Sequence, residues 1–227
     1  MRDADASSAT TERDEQRLKG IGVSPGIAIG AAYIGDRDPV SVPEVAIPEG
    51  GVSVERARFA EAVANAQKQL RKLKVRAGSL PGSAPEELGY LLDAHLAMLA
   101  NSRLVRGVNH RIANAHINAE RAVELEIEQL AKGFAQMRDS YLAARVEDIR
   151  VVGNRLIRNL VKKPYVTYAT LDGGAVILAE EVTPADTALM DPRRIGGFAA
   201  VFGGPESHSA IMARALGLPA VMGVAGL

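Results

Sequence analysis

Gly197-Phe-Ala-Ala-Val-Phe-Gly-Gly-Pro-Glu-Ser-His-Ser-Ala-Ile-Met-Ala-Arg-Ala-Leu216 reads as three pieces in succession. The apolar run to Phe202 has the length and character of a buried strand. Gly203 and Gly204 let the backbone turn and come close to a ligand. A helix then opens near Ser207–Ser209 and runs through small and aliphatic residues to Leu216. The free N–H groups of such an opening, with the positive end of the helix dipole, favour an anion. His208 stands there between two hydroxyls. A neutral imidazole, with an ordinary pKa near 6.5, is a nucleophile near neutral pH. Phosphoryl transfer needs mainly positioning and charge stabilisation, and this arrangement supplies both. On local features alone, a glycine turn, a serine-capped helix and an incidental histidine is an equal reading.

The same strand grammar lies on either side. Ala175-Val-Ile-Leu178 precedes the stretch and Ala220-Val-Met222 follows it, with a short helical segment near Pro184–Met190. It also occurs near the start, where Lys19–Ile47 is β-branched and rich in Gly and Pro, and Ile27–Ile34 reads as a strand bounded by turns. Between them the character is helical. Glu55–Ala77 carries Phe59, Val63, Ala66, Leu70 and Leu73 at helical spacing, and Pro85 suits the first turn of the next helix. That helix presents Leu88, Leu91, Leu92, His95, Leu96 and Leu99. Further stretches cover about Leu104–Ala113, Ala119–Met137 and Ser140–Leu160, enough for an antiparallel bundle. Neither flank alone has the strands for a stable sheet, so the two should pair. The expected fold is an α/β domain made of residues 19–52 and 161–227, interrupted by an all-α helical-bundle insertion over 53–160. Residues 1–18, polar and charged, read as a mobile tail.

Composition narrows the function classes. Lys plus Arg and Asp plus Glu are both 27, which argues against a broadly basic nucleic-acid binder. No apolar run reaches membrane-spanning length, and the first residues lack the apolar core of a secretory signal. Cysteine is absent, which excludes disulfides and thiolate metal sites. The expectation is a cytoplasmic protein with no nucleic-acid or membrane partner. His95, His110 and His116 have no second ligand-type residue at metal spacing, so no metal site is expected.

The stretch Gly203–Arg214, with two glycines and a histidine four residues after the second, resembles the active-site signature of phosphoenolpyruvate-utilising phosphotransferases. Leu216-Gly-Leu-Pro-Ala-Val-Met-Gly223 continues the likeness. Three further segments resemble enzyme I of the bacterial phosphotransferase system: Gly20–Gly30, Asp93–Leu99, and Arg145–Asn159. Thr183-Pro-Ala-Asp-Thr187 precedes His208 at the family's spacing. The resemblance implies an α/β phosphohistidine domain carrying a helical carrier-binding insertion. It implies that His208 accepts a phosphoryl group originating from phosphoenolpyruvate and passes it to the histidine of an HPr-type phosphocarrier. By the same likeness Gly203, Gly204, Ser207, Ser209 and Thr187 hold the phosphoryl group. Met98, Leu99 and Leu104 line the carrier groove, and Arg145 and Asp148 face the cleft between the two parts. The family's C-terminal domain binds phosphoenolpyruvate with Mg2+; nothing in this chain resembles it, so a fragment with no cofactor of its own is expected.

Four departures qualify the likeness. Glu206 stands where the family usually has Thr or Asn, and Leu88 where some members place a lysine. Ala100-Asn-Ser-Arg103 replaces an acidic run of the sugar systems, which would suit the nitrogen-related branch. The chain also stops at Leu227, soon after the motif. Two other functions stay open: a degenerate carrier-binding module without turnover, and a phosphohistidine domain of the pyruvate phosphate dikinase/phosphoenolpyruvate synthase type. Arg214 reads either as a cap on the end of its helix or as a phosphate anchor.

Overall fold

The computed structural model describes residues 15–35, 42–80, 82, 84–135, 140–163, 168, 171 and 173–227. Five helices follow two short strands, β1 (Ile21–Ser24) and β2 (Ala32–Ile34). They are α1 (Val52–Ala77), α2 (Ala84–Met98), α3 (Arg103–Ala115), α4 (Ala119–Ala135) and α5 (Ser140–Leu160). The chain then alternates β3 (Ala175–Ala179), α6 (Pro184–Leu189), β4 (Ile195–Ala200), α7 (His208–Leu216) and β5 (Ala220–Met222). The helical bundle thus interrupts an α/β unit whose sheet takes strands from both flanks.

The sheet has the order β1-β5-β4-β3-β2. Every neighbouring pair is parallel except β1 with β5. The N-terminal strands therefore sit at opposite edges, and this corrects the reading of Ile27–Ile34 as one strand: only its last three residues pair. Residues 25–31 instead carry the chain from one edge to the other. Their glycines mark the close approaches, since a Cβ on Gly26 would meet Pro219 at 2.6 Å and one on Gly30 the Gly174 carbonyl at 1.9 Å. Ile27 and Ile29 are left 89% and 90% exposed.

Two apolar clusters result. In the bundle, α1 buries the stripe Phe59, Ala62, Ala66, Leu70, Leu73 and Ala77, at the three-and-four spacing of one helix face. It meets Leu88, Leu92, Leu99, Leu104, Val108, Ile112, Val123, Val152 and Leu156. Two glycines permit close helix approach: a Cβ on Gly107 of α3 would fall 2.3 Å from the Glu126 carboxylate, and one on Gly153 of α5 would fall 1.9 Å from Ile127. The second cluster lies between the sheet and its helices and includes Ile177, Ile195, Phe198, Leu218 and Met222. Met212 of α7 belongs to the bundle cluster, and Leu189 and Ala215 pack against it, so α6 and α7 are the layer where the two parts meet.

A partly buried polar network fastens the bundle's entry to its exit. Arg58 donates to both oxygens of Glu120 (2.7 and 2.6 Å), to Glu55 and to the Leu160 carbonyl. Glu55 in turn accepts from the Ala119 amide at 2.6 Å, at the opening of α4. Asn118 accepts from the Val45 amide and donates to Pro43 and Glu120, tying in the segment before α1. Burial alone would push the Glu120 carboxyl up; its hydrogen bonds from Arg58, its own backbone amide and Asn118 outweigh that and hold it below the ordinary 4.5.

Candidate functional site

The site is built at the C-terminal ends of parallel strands, where open α/β sheets place their ligands. β4 ends at Ala200, the loop 201–207 turns over the sheet, and α7 begins at His208. Gly203 has φ +113°, a conformation that favours glycine, and a Cβ there would press on Met222 Sδ at 2.7 Å. Gly204 has no positive φ and open space at its Cβ position. Of the two glycines, only Gly203 is required by the turn itself.

Ser207 caps the helix. Its hydroxyl accepts from the Ala210 amide at 3.2 Å and donates to the Gly204 carbonyl at 2.8 Å. The Ile211 amide bonds the Ser207 carbonyl, as the first helical hydrogen bond should. The amides of His208 and Ser209 have no acceptor among the described residues, as first-turn helix N–H groups do not within their own helix. His208 is exposed and its ring makes no hydrogen bond among the described residues. Glu206 is likewise exposed, with no polar partner among them.

Two hydroxyls expected at the phosphoryl group are turned elsewhere. Ser209 is buried and its hydroxyl donates to the Val182 carbonyl at 2.5 Å. Thr187 is 0% exposed and donates to the Thr183 carbonyl at 3.0 Å, one turn back on α6. The reason is the tight start of that helix. Thr183 and Asp186 form a capping box closed by hydrogen bonds of 2.6–3.1 Å, which draws Thr187 into the core beneath α7.

The loop, His208 and α7 all fall within a stretch that a family model covers. The model of "PEP-utilising enzyme, mobile domain" fits residues 171–227, and that of "PEP-utilising enzyme, N-terminal" fits residues 19–145. The chain belongs to the PEP-utilising enzymes. Among curated relatives, the phosphoenolpyruvate-protein phosphotransferase of Bacillus subtilis (strain 168) is 35% identical over 92% of this chain. The protein of that name from Haloferax volcanii is 36% identical, also over 92%. In both cases the chain spans 36% of the relative's length. The solved structure of an Enzyme I (nEIt) protein superposes with a TM-score of 0.76 at 38% identity, covering 92% of this chain and 84% of the other. The N-terminal domain of Enzyme 1 - Nitrogen gives 0.64 at 27% identity, covering 93% and 85%.

For a PEP-utilising enzyme of this build, the bundle residues expected to form a groove need correcting. Leu99 and Leu104 are 1% and 4% exposed and belong to the bundle core, so neither is a surface anchor. The bend between α2 and α3 puts them there. The Leu99 amide closes the last turn of α2, its carbonyl accepts from Gln67 at 2.8 Å, and Leu104 follows the Ser102 cap directly into α3. Met98 is half-buried at the rim. Arg145 lies on α5, with its side chain outside the described residues. Asp148 faces His95 of α2, Oδ1 to Nε2 at 3.5 Å, which gives the buried histidine a polar partner. Among the described residues no group of three or more His, Asp or Glu side chains is placed to hold a metal ion, and no helix is long and apolar enough to cross a membrane.

Sequence reading missed the Arg58–Glu55–Glu120 network, whose members are 65 positions apart at the extremes. It also missed the hydrogen bonds of Arg214, which neither caps its helix end nor points away from the loop: its Nη1 donates to the carbonyls of Pro205 and Val23.

Proposed function

We propose that His208 accepts a phosphoryl group originating from phosphoenolpyruvate and transfers it to the histidine of an HPr-type phosphocarrier, with the bundle over 53–160 as the carrier's docking part. The observation that carries this reading is the placement of His208. It is the one histidine that is both exposed and set at a helix opening with unbonded amides, on the loop that the family match covers. An imidazole nitrogen attacks phosphorus in line, the leaving group departs with its electron pair, and the two open amides stabilise charge on the equatorial oxygens. Transfer onward reverses the same step. Gly203, Gly204, Ser207 and the Ser209 amide form the phosphoryl seat in this proposal, and Thr187 supports it from below. Met98 and Arg145 belong to the carrier's contact surface.

The donor is proposed to be a phosphoenolpyruvate-binding domain of the full-length protein. Mg2+ belongs to that domain in this proposal. A cytoplasmic setting goes with this reading. The test mixes the chain with phosphorylated carrier labelled on its histidine. Acid-labile label should appear on the chain and be absent from His208→Ala. Tight carrier binding with no label on the wild-type chain would make it a docking module instead.

A further inference from the structure

We propose that Arg214 is a positioning residue for His208, in that one of its guanidinium nitrogens ties the loop in front of the histidine to the first strand of the chain. The proposal rests on the reading of His208 as phosphoryl acceptor and adds a residue to it. Arg214 lies in the last turn of α7, where a cation complements the carbonyl end of the helix without any need to reach back. Yet its Nη1 donates to the Pro205 carbonyl at 3.1 Å and to the Val23 carbonyl at 3.0 Å. One guanidinium Nη carries two hydrogens, so a single nitrogen serves both acceptors.

Both acceptors are groups that regular structure leaves over. β1 pairs with β5 through Gly22–Val221 and Ser24–Ala220, and Val23 is the extra residue of the bulge between them. Pro205 lies in the turn between the glycines and Ser207. The other hydrogen bonds of residues 203–207 are internal to the loop or made to the first turn of α7. Beyond those and the bond from Arg214, residues 203–207 make one weak contact among the described residues, from Ser207 Oγ to Met222 Sδ at 3.4 Å. Ahead of this stretch the amides of Val201 and Phe202 bond the carbonyls of Ala179 and Glu180 at 3.1 and 2.8 Å, which fixes the opening of the loop beside β3. Arg214 is the strong tether of residues 203–207 to β1 among the described residues. The histidine ring has no side-chain partner of its own, so its place follows from the backbone that carries it. Transfer rates fall steeply when reacting atoms are displaced by even about an ångström, and a loosened loop is such a displacement.

The test compares Arg214→Met, which keeps the stem and loses both donors, with Arg214→Lys, whose ammonium can reach the same two carbonyls. Amide hydrogen exchange is read at residues 203–208 and 22–24. Single-turnover transfer from labelled phosphocarrier is read across carrier concentrations. Arg214→Met should speed exchange at both segments together and slow transfer roughly tenfold to a hundredfold at saturating carrier. The half-saturating carrier concentration should stay unchanged, and Arg214→Lys should restore most of both effects. Unchanged exchange at 203–208, exchange that rises across the whole sheet, or native transfer from a loosened loop would each overturn the proposal. A wild-type chain that takes no label sinks the functional reading, and the exchange arm then decides the tether alone.

Discussion

His208 and Met212 stand one turn apart on α7, the first in solvent and the second 2% exposed inside the core of the helical bundle. Residues four apart share a helix face. The face that docks α7 on the bundle is therefore the face whose next turn carries the histidine, and His208 emerges at the seam between bundle and α/β unit.

Met212→Ala should loosen this docking. Truncating a buried methionine costs about 2–5 kcal/mol, because the cavity it leaves collapses only in part. Thermal unfolding should move several degrees lower, and amide exchange along α7 should quicken before exchange in α1. A variant with the native melting point and native exchange on α7 would mean that the two parts are not coupled through this side chain.

The groove reading changes with the burial of Leu99. Leu99→Asp puts an unpaired charge into the core of the bundle and should unfold it, since burying an isolated charge costs far more than one domain's margin of stability. Circular dichroism at 222 nm reads this directly, and a native spectrum and melting point would contradict the burial. Met98→Asp is the informative docking variant. It sits half-buried at the rim, should keep the fold, and should weaken carrier binding by more than about 1 kcal/mol if Met98 is an anchor. Unchanged titration calorimetry for Met98→Asp would remove it from the contact surface.

Much of this was legible in the sequence because the decisive signals are local. The apolar stripe Phe59–Leu73 repeats every three or four residues and gives α1 directly. The strand–Gly-Gly–helix order around His208 needs no distant residue to be read. Sheet order was not legible. Nothing within Ile27–Ile34 says that its strand must cross to the far edge, because that follows from β5 taking the place beside β1. The side chains that turned away from the proposed phosphoryl seat fail for a related reason. Thr187 looks available as a hydroxyl, but the capping box of Thr183 and Asp186 fixes its direction, and Leu99 looks like a helix-end anchor until α1 packs over it.

Acid stability should depend on Glu120. Its carboxyl is held below its ordinary value, so the folded state binds the proton less readily than the unfolded chain. A depressed carboxylate contributes stability that is fully present above the unfolded value, near 4.5, and is lost as pH falls through the folded one. Thermal midpoints should therefore fall below about pH 4.5 with a limb that Glu120→Gln flattens, at the cost of a lower midpoint at pH 7. Parallel limbs for the two proteins would show that Glu120 is not the titrating group.

Glu206 is the departure nearest the proposed chemistry, and its exposure sets the size of its effect. Two unit charges 4 Å apart in water repel by about 1 kcal/mol, or roughly fivefold in an equilibrium constant, and a solvent-facing carboxylate belongs near that limit rather than near the far larger values of a dry interior. The carboxylate has no polar partner among the described residues that would hold it away or neutralise it. It should disfavour the anionic phosphoryl form of His208 two residues on, and leave the neutral ring untouched by comparison. Glu206→Thr should therefore shift the equilibrium between phosphorylated carrier and phosphorylated chain toward the chain, about fivefold at low salt. Charges in solvent are screened over about 8 Å at physiological ionic strength, so the shift should shrink as salt rises. The measurement is the label distribution at equilibrium for both proteins, at low and high salt. An effect that persists undiminished in high salt would point to a lost hydrogen bond rather than a repelling charge, and identical distributions would mean that Glu206 stays clear of the phosphoryl group.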